Sequence, residues 1–336
     1  MRNVQHIGIY ILFSFLLVLD INVLKAQTDS LQQTAAAADH DVPGDSVVPH
    51  PKETPDFKGR QQWVGYGSIG IYAGMLYTLN KAWYSGYARS GFHFYNDDGE
   101  WNQMDKAGHA WTAYQLTRGS YAAWKWAGAK DHKALLYAGL SGPGFLTVIE
   151  ILDGFSSEWG FSPGDMAANV LGSGIFLGQQ ALWKEQRIAY KFSFHRKDYN
   201  DDILEARADD LFGKSWNERM LKDYNAQSYW LSANLKSFFP ESNLPAWLNV
   251  AVGYGAENML GGYENTWTDE QGHTYNRTDL KRTRQFYLAP DIDLTRIKTK
   301  SKFLKTAFFA LNCFKIPAPA LMVDTKGKVK GYFFYF

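Results

Sequence analysis

The chain has 336 residues, with 35 Lys plus Arg against 34 Asp plus Glu, and so a formal charge of +1. At 46% hydrophobic and 21% charged residues it has a folding composition, and near-neutrality removes the basic field on which nucleic-acid binders rely. One cysteine, Cys313, excludes an internal disulfide framework and a zinc site built on thiolates.

Arg2 precedes an apolar run over 7–19, and polar sequence follows Lys25. This is the charge, core and exit pattern of a secretory signal peptide, so 1–26 is predicted to be removed after Ala26; an uncleaved anchor helix is the alternative. No cysteine lies at the exit point for lipid attachment. Residues 27–57 are rich in Thr, Asp, Ala and Pro, carry no apolar period, and read as a flexible tether.

Over 58–187 the apolar residues come in long blocks broken by Gly, Pro and polar clusters, which predicts a bundle of about four helices at 62–83, 103–127, 132–153 and 163–187. None is a clean run of the ~20 lipid-facing residues that a membrane span requires. The pairs Gly70/Gly74, Ala168/Gly172 and Gly174/Gly178 would let helix backbones approach closely. Gly65-Tyr66-Gly67-Ser68-Ile69-Gly70 fits a dinucleotide-binding pattern, but no strand precedes it, so it reads as helix packing rather than a nucleotide site.

Over 188–336 the period changes to two. Tyr229, Leu231, Ala233 and Leu235 alternate with Trp230, Ser232, Asn234 and Lys236, and similar patterns start at Leu248 and Phe286. Pro290 places that last strand at an edge or bulge. Tyr190 to His195 reads as a further strand, Lys326-Gly327 as the turn of a hairpin joining 319–324 to 328–336, and 301–313 as a short amphipathic helix. The predicted class is α+β, a helical bundle followed by an antiparallel sheet or small partial barrel. The closing run Tyr332-Phe333-Phe334-Tyr335-Phe336 fits the last strand of an outer-membrane barrel, which needs about 8 strands, and equally a sheet buried against helices. Export and this ending together predict the periplasm or outer membrane of a Gram-negative bacterium, with a membrane or envelope component as partner and neither nucleic acid nor nucleotide.

Three polar pairs sit at helical spacing: Asp105 with His109, Glu150 with Asp153, and Asp165 with Asn169. Burying so many polar groups singly is costly, so they are expected to meet. Such a cluster could hold a divalent metal on His109, Glu150 and Asp153, or run acid–base chemistry with His109, Asp105, Glu150, Asp153 and Asp165. Lys106, Asn169 and Gly172 are structural or binding candidates. The plainer alternative is that Asp105 and Asp165 serve first turns of helices and the histidine is hydrogen-bonded structure. Asn96-Asp97-Asp98-Gly99-Glu100 either lips the site or is a solvated loop.

Asp105-Lys106-Ala107-Gly108-His109, Glu150-Ile151-Leu152-Asp153-Gly154 and Trp159-Gly160-Phe161-Ser162 with Asp165, Asn169 and Gly172 resemble the YfiM-like family of periplasmic lipoproteins, a domain of unknown function, over about 62–195. Their order is also similar to that in the VanZ-like membrane family. The run Lys222-Asp223-Tyr224-Asn225-Ala226-Gln227-Ser228-Tyr229-Trp230 resembles the longer Bacteroidetes form. The resemblance implies that the three polar pairs are motif positions, and it carries no reaction. Two functions stay open: a non-catalytic envelope protein, and a metal- or acid–base-dependent hydrolase or transferase acting on a lipid-linked or cell-wall substrate.

Overall fold

The computed structural model describes residues 57–80, 88–199, 201–269 and 271–336. The expected signal segment and all of the tether except Phe57 lie outside these residues.

Four long helices precede the first strand: α1 (Phe57–Leu79), α2 (Met104–Trp126), α3 (Asp131–Asp153) and α4 (Pro163–Trp183). The start of α4 follows from its sequence, since the Ser162 side chain accepts the Asp165 N–H and Pro163 occupies the first turn, where a missing donor costs nothing. Central in the bundle is α2, flanked by α3 and α4 and buried almost continuously from Ala110 to Ser120. Glycine sets its spacing from α4: a Cβ at Gly172 would collide with the Ala110 backbone. The other small-residue pairs do no such work, because Gly70, Gly74, Gly174 and Gly178 face open space. The stretch Gly65 to Gly70 lies within α1.

The four helices expected over 58–187 and the one expected at 301–313 do not account for the whole helix count. Eight α-helices occur among the described residues, the further four being α5 (Asp202–Phe212), α6 (Trp216–Lys222), α7 (Leu235–Phe238) and α8 (Lys302–Leu311). Of these only α8 announces itself by apolar spacing. The others are held by their first turns: Asp201 and Asn234 cap α5 and α7, and Ser215 with Glu218 forms a reciprocal capping box on α6.

The strands β1 (Ile188–Phe194), β2 (Gln227–Asn234), β3 (Leu248–Glu257), β6 (Thr283–Ile292), β7 (Ala318–Asp324) and β8 (Val329–Tyr335) form one antiparallel sheet in the order β1-β2-β3-β6-β7-β8. A separate hairpin joins β4 (Thr266–Thr268) to β5 (Thr274–Asn276). Pro290 does not sit on an edge strand, because β6 is interior. It is tolerated because the β6–β7 pairing stops at Leu288, leaving no partner for the absent N–H.

The two faces of the sheet differ. One buries Trp230, Tyr287, Met322 and Tyr335 around a fully enclosed ion pair, Lys191 Nζ to Asp291 Oδ2 at 2.7 Å. Gly253 is obligatory there, since a Cβ would lie 2.6 Å from the Trp230 ring. The other face meets the bundle through Tyr190, Phe192 and Tyr229, which pack with Trp111, Tyr114 and Phe176. Beyond that contact it leaves Leu231, Val252, Phe286, Leu288 and Leu321 between 40% and 55% exposed. The sheet curls strongly. From β8 the Tyr335 hydroxyl donates to Tyr287 at 2.7 Å and lies 3.0 Å from Ser228 Oγ on β2. At the opposite margin the Phe192 N–H donates to the Cys313 carbonyl at 2.9 Å and the Lys315 N–H to Phe192 at 2.8 Å, so the approach to β7 runs along the outer edge of β1.

Candidate functional site

Three helix ends converge where the bundle meets the sheet: the first turn of α2, the last turn of α3 and the first turn of α4. An unusual turn delivers α2 to this point. Trp101, Asn102 and Gln103 all adopt positive φ, 46°, 50° and 61°, a left-handed stretch that costs non-glycine residues about 1–2 kcal/mol each. Tertiary bonds impose it: the Trp101 N–H donates to Gly262 at 2.8 Å, Tyr254 donates to the Asn102 carbonyl, and Arg284 donates to the Gln103 side chain.

Lys106 is the cationic centre of the cluster. Its Nζ lies 2.6 Å from Asp97, 2.8 Å from Asp165 and 3.3 Å from Asp105. His109, one turn on, places Nε2 3.9 Å from Asp105 and 3.8 Å from Asp165, while Nδ1 lies 3.2 Å from Asn169 Oδ1 and 3.6 Å from Glu150. Ser162 ties the loop, α3 and α4 together: its hydroxyl donates to Asp97 at 2.6 Å and its N–H to Glu150 at 3.3 Å, while its oxygen caps Asp165. From beyond the bundle, the Tyr224 hydroxyl donates to Asp105 at 2.7 Å.

This arrangement sets the charges. Burial alone would raise Asp105, but His109, Lys106 and the Tyr224 hydroxyl outweigh it and hold the carboxyl below its ordinary value. For Asp165, burial and the neighbouring Asp105 push the carboxyl up despite His109 and Lys106. Burial raises Glu150 to about 7, with His109 opposing. The imidazole of His109 would be lowered by burial, yet Asp105, Asp165 and Glu150 hold it raised. Near neutrality the site therefore stores exchangeable protons around one histidine.

A cavity of about 310 Å³ opens beside this cluster, with Asp105 and His109 in its wall. The rest of its lining is mostly apolar, including Met75, Phe145, Leu146, Ile149, Phe192 and Met220, with Tyr224 and Tyr229 on the sheet side. Ligand cavities begin at about 300 Å³ and pair an apolar lining with a few placed polar groups. Inside the wall, Asn169 Nδ2 has no hydrogen bond although the residue is fully buried, and Glu150 Oε1 has none beyond the approach of His109.

Six sequence candidates thus meet: Asp105, Lys106, His109, Glu150, Asp165 and Asn169. Asp153 stands aside, half-buried one turn beyond Glu150, and acts on it as a neighbouring charge. Gly172 is a packing residue under Ala110. The metal set expected from sequence is not the one whose ligand atoms gather. Ligand atoms of Asp105, His109 and Asp165 lie within 4.8 Å of one another. Two participants were less visible: Asp97, left open as lip or loop, lies directly on Lys106, and Tyr224 sits in the run Lys222 to Trp230 noted for its resemblance.

Residues 93–178 match the model of a family described as predicted periplasmic lipoprotein, DUF2279. The match covers about a quarter of the chain and contains every member of the cluster except Tyr224. The protein is accordingly an exported one of the periplasm or outer membrane, and residues 93–178 are similar to that family. No curated protein and no solved structure matches the chain.

Proposed function

We propose that this envelope protein binds an amphipathic molecule at the junction of bundle and sheet, with apolar chain in the cavity and polar end on Asp105 and His109. The observation that carries this reading is the cavity itself: a buried structural network would be closed and dry, whereas here His109 forms part of an apolar-walled opening. Asn169 and Glu150, whose polar atoms lack full partners, stand behind the histidine to fix its orientation. Organic extraction of the purified protein followed by mass spectrometry is expected to release an acyl-bearing species. Filling the cavity with Ile149→Trp, or with Thr112→Phe as a second variant, is expected to abolish its recovery while thermal unfolding stays cooperative. Unchanged recovery from both folded variants contradicts the proposal.

A second reading, chemistry on the bound molecule, is favoured by the position of His109 between a lowered carboxyl, Asp105, and two raised ones, Glu150 and Asp165. A hydrolase or transferase for a lipid-linked or cell-wall substrate would use His109 as the proton-transferring group, with Asp105 orienting it. Metal assistance fits less well, since Lys106 Nζ already lies between Asp165 and Asp105 and a divalent ion would have to displace it. Elemental analysis of the purified protein is expected to find substoichiometric metal; one equivalent that vanishes in His109→Ala would favour metal-assisted chemistry instead.

A further inference from the structure

The cluster beside the cavity is short of positive charge. Asp97, Asp105, Glu150 and Asp165 all lie within 3.9 Å of Lys106 or His109, the two cations that pair with them. Asp153 adds a further negative charge beside Glu150, and Glu100, in the turn before α2, adds another at the margin that Arg282 offsets in part. The hydroxyls that arrive from β2 and the turn before it, Tyr224 on Asp105 and Tyr229 on Gln227, bring no charge. Four carboxyls served by two cations balance their charge by retaining protons. Glu150 and Asp165 do so, with burial the main cause and a neighbouring carboxylate adding to it in each case. The site thus holds protons where a counter-cation belongs.

The cavity wall repeats this bias. Its ionisable members include Asp105 and His109, and no lysine or arginine stands in the lining. Phe192 packs on Trp111 with ring centroids 5.3 Å apart and on Tyr229 at 5.4 Å, so part of the lining is a run of aromatic rings, surfaces that attract cations. Trp111 is 6% exposed and its indole N–H has no acceptor, a buried donor that an oxygen of a bound molecule would satisfy. An anionic head placed on His109 would meet the wrong charge, because Asp105 and Asp165 flank its Nε2 at 3.9 and 3.8 Å.

We infer that the amphiphile of this site carries an ammonium group, seated between Asp105 and the aromatic wall, with its chain running toward Met75, Phe145 and Ile149. The inference rests on the cavity reading above and narrows it to one class of head group. Charge decides among heads: an ammonium supplies the cation that the four carboxyls lack, an alcohol leaves the deficit as it was, and a head whose only charge is negative deepens it. Because an added cation favours the ionised form of its neighbours, binding also expels protons that the cluster holds.

The test compares octylammonium, octan-1-ol and octanoate, one chain with three heads, by isothermal titration calorimetry of the purified exported chain near neutral pH. Octylammonium is expected to bind at least about tenfold tighter than either of the others. Repeating its titration in phosphate and in HEPES, buffers of different ionisation enthalpy, is expected to show net proton release. Asp105→Asn is expected to reduce the affinity ratio of octylammonium to octan-1-ol at least about fivefold. Circular dichroism checks that this variant folds; if it does not, proton release by the parent protein decides. Equal affinities for the three heads, tighter binding of octanoate, an unchanged ratio in folded Asp105→Asn, or the absence of proton release overturns the ammonium head. The cavity reading survives that failure if octan-1-ol still binds and Ile149→Trp abolishes its binding. No binding of any of the three overturns both.

Discussion

Lys106 is the residue on which the cluster depends electrostatically. Three carboxylates approach it within 3.3 Å, so replacing it by Met leaves buried negative charge with His109 as the main remaining cation. Breaking a buried pair in this way costs about 3–5 kcal/mol. Lys106→Met is therefore expected to lower the urea midpoint strongly, and a shift below that caused by an exposed control such as Lys214→Met would contradict the charge assignment. The pH dependence has a definite sign. Glu150, Asp165 and His109 all titrate higher in the folded chain than when unfolded, so over the neutral range the folded state binds more protons and stability falls as pH rises. Asp105 works oppositely, since its lowered value gives stability that is lost only in strong acid. Urea midpoints are expected to be lower at about pH 8.5 than at about pH 5.5, with the difference reduced in Glu150→Gln; a midpoint that climbs with pH contradicts this. The members of the cluster on α2, α3 and α4 were legible because helical spacing put them on shared faces. Asp97 and Tyr224 were not, because their partners are set by a left-handed turn and by the docking of the sheet, neither of which has a sequence period.

Among elements, the contact between α2 and α4 rests on a missing methyl group. Gly172→Ala drives a Cβ into the Ala110 backbone, which cannot yield without moving a helix, and overpacking of this kind costs about 1–3 kcal/mol. Unfolding by denaturant should show that loss, whereas Gly174→Ala, facing open space, is expected to be neutral or slightly stabilising through helix propensity. Equal effects at the two positions would contradict the packing account. The four long helices and the main strands could be read from apolar period because packing chose those residues. Helices α5, α6 and α7 escaped that reading, although the Ser215 and Glu218 capping box of α6 was present in the sequence as a start signal. Pro290 misled in a different way: it marks where pairing with β7 ends on an interior strand, a matter of strand length rather than of edge position.

At the scale of the molecule, the curled sheet docks on the bundle through Phe192 and Tyr229 against Trp111, and the cavity lies at that joint, with walls from both parts. A helical bundle alone would leave His109 facing water; the sheet converts the same position into an apolar recess with one polar end. Composition and period foresaw both parts but not their meeting, because docking depends on Tyr190, Phe192 and Tyr229 facing the bundle while Lys191 and Trp230 face the opposite core. That division of one strand's neighbours between two cores is invisible until register is known. The central claim, that cluster and cavity are one amphiphile site, is tested most directly by nuclear magnetic resonance of the protein labelled at histidine and tryptophan, titrated with a short-chain lysophospholipid below its micellar concentration. The account predicts saturable, simultaneous shifts of the His109 imidazole and the Trp111 indole, absent in Ile149→Trp; shifts at neither, or at surface residues alone, would contradict it.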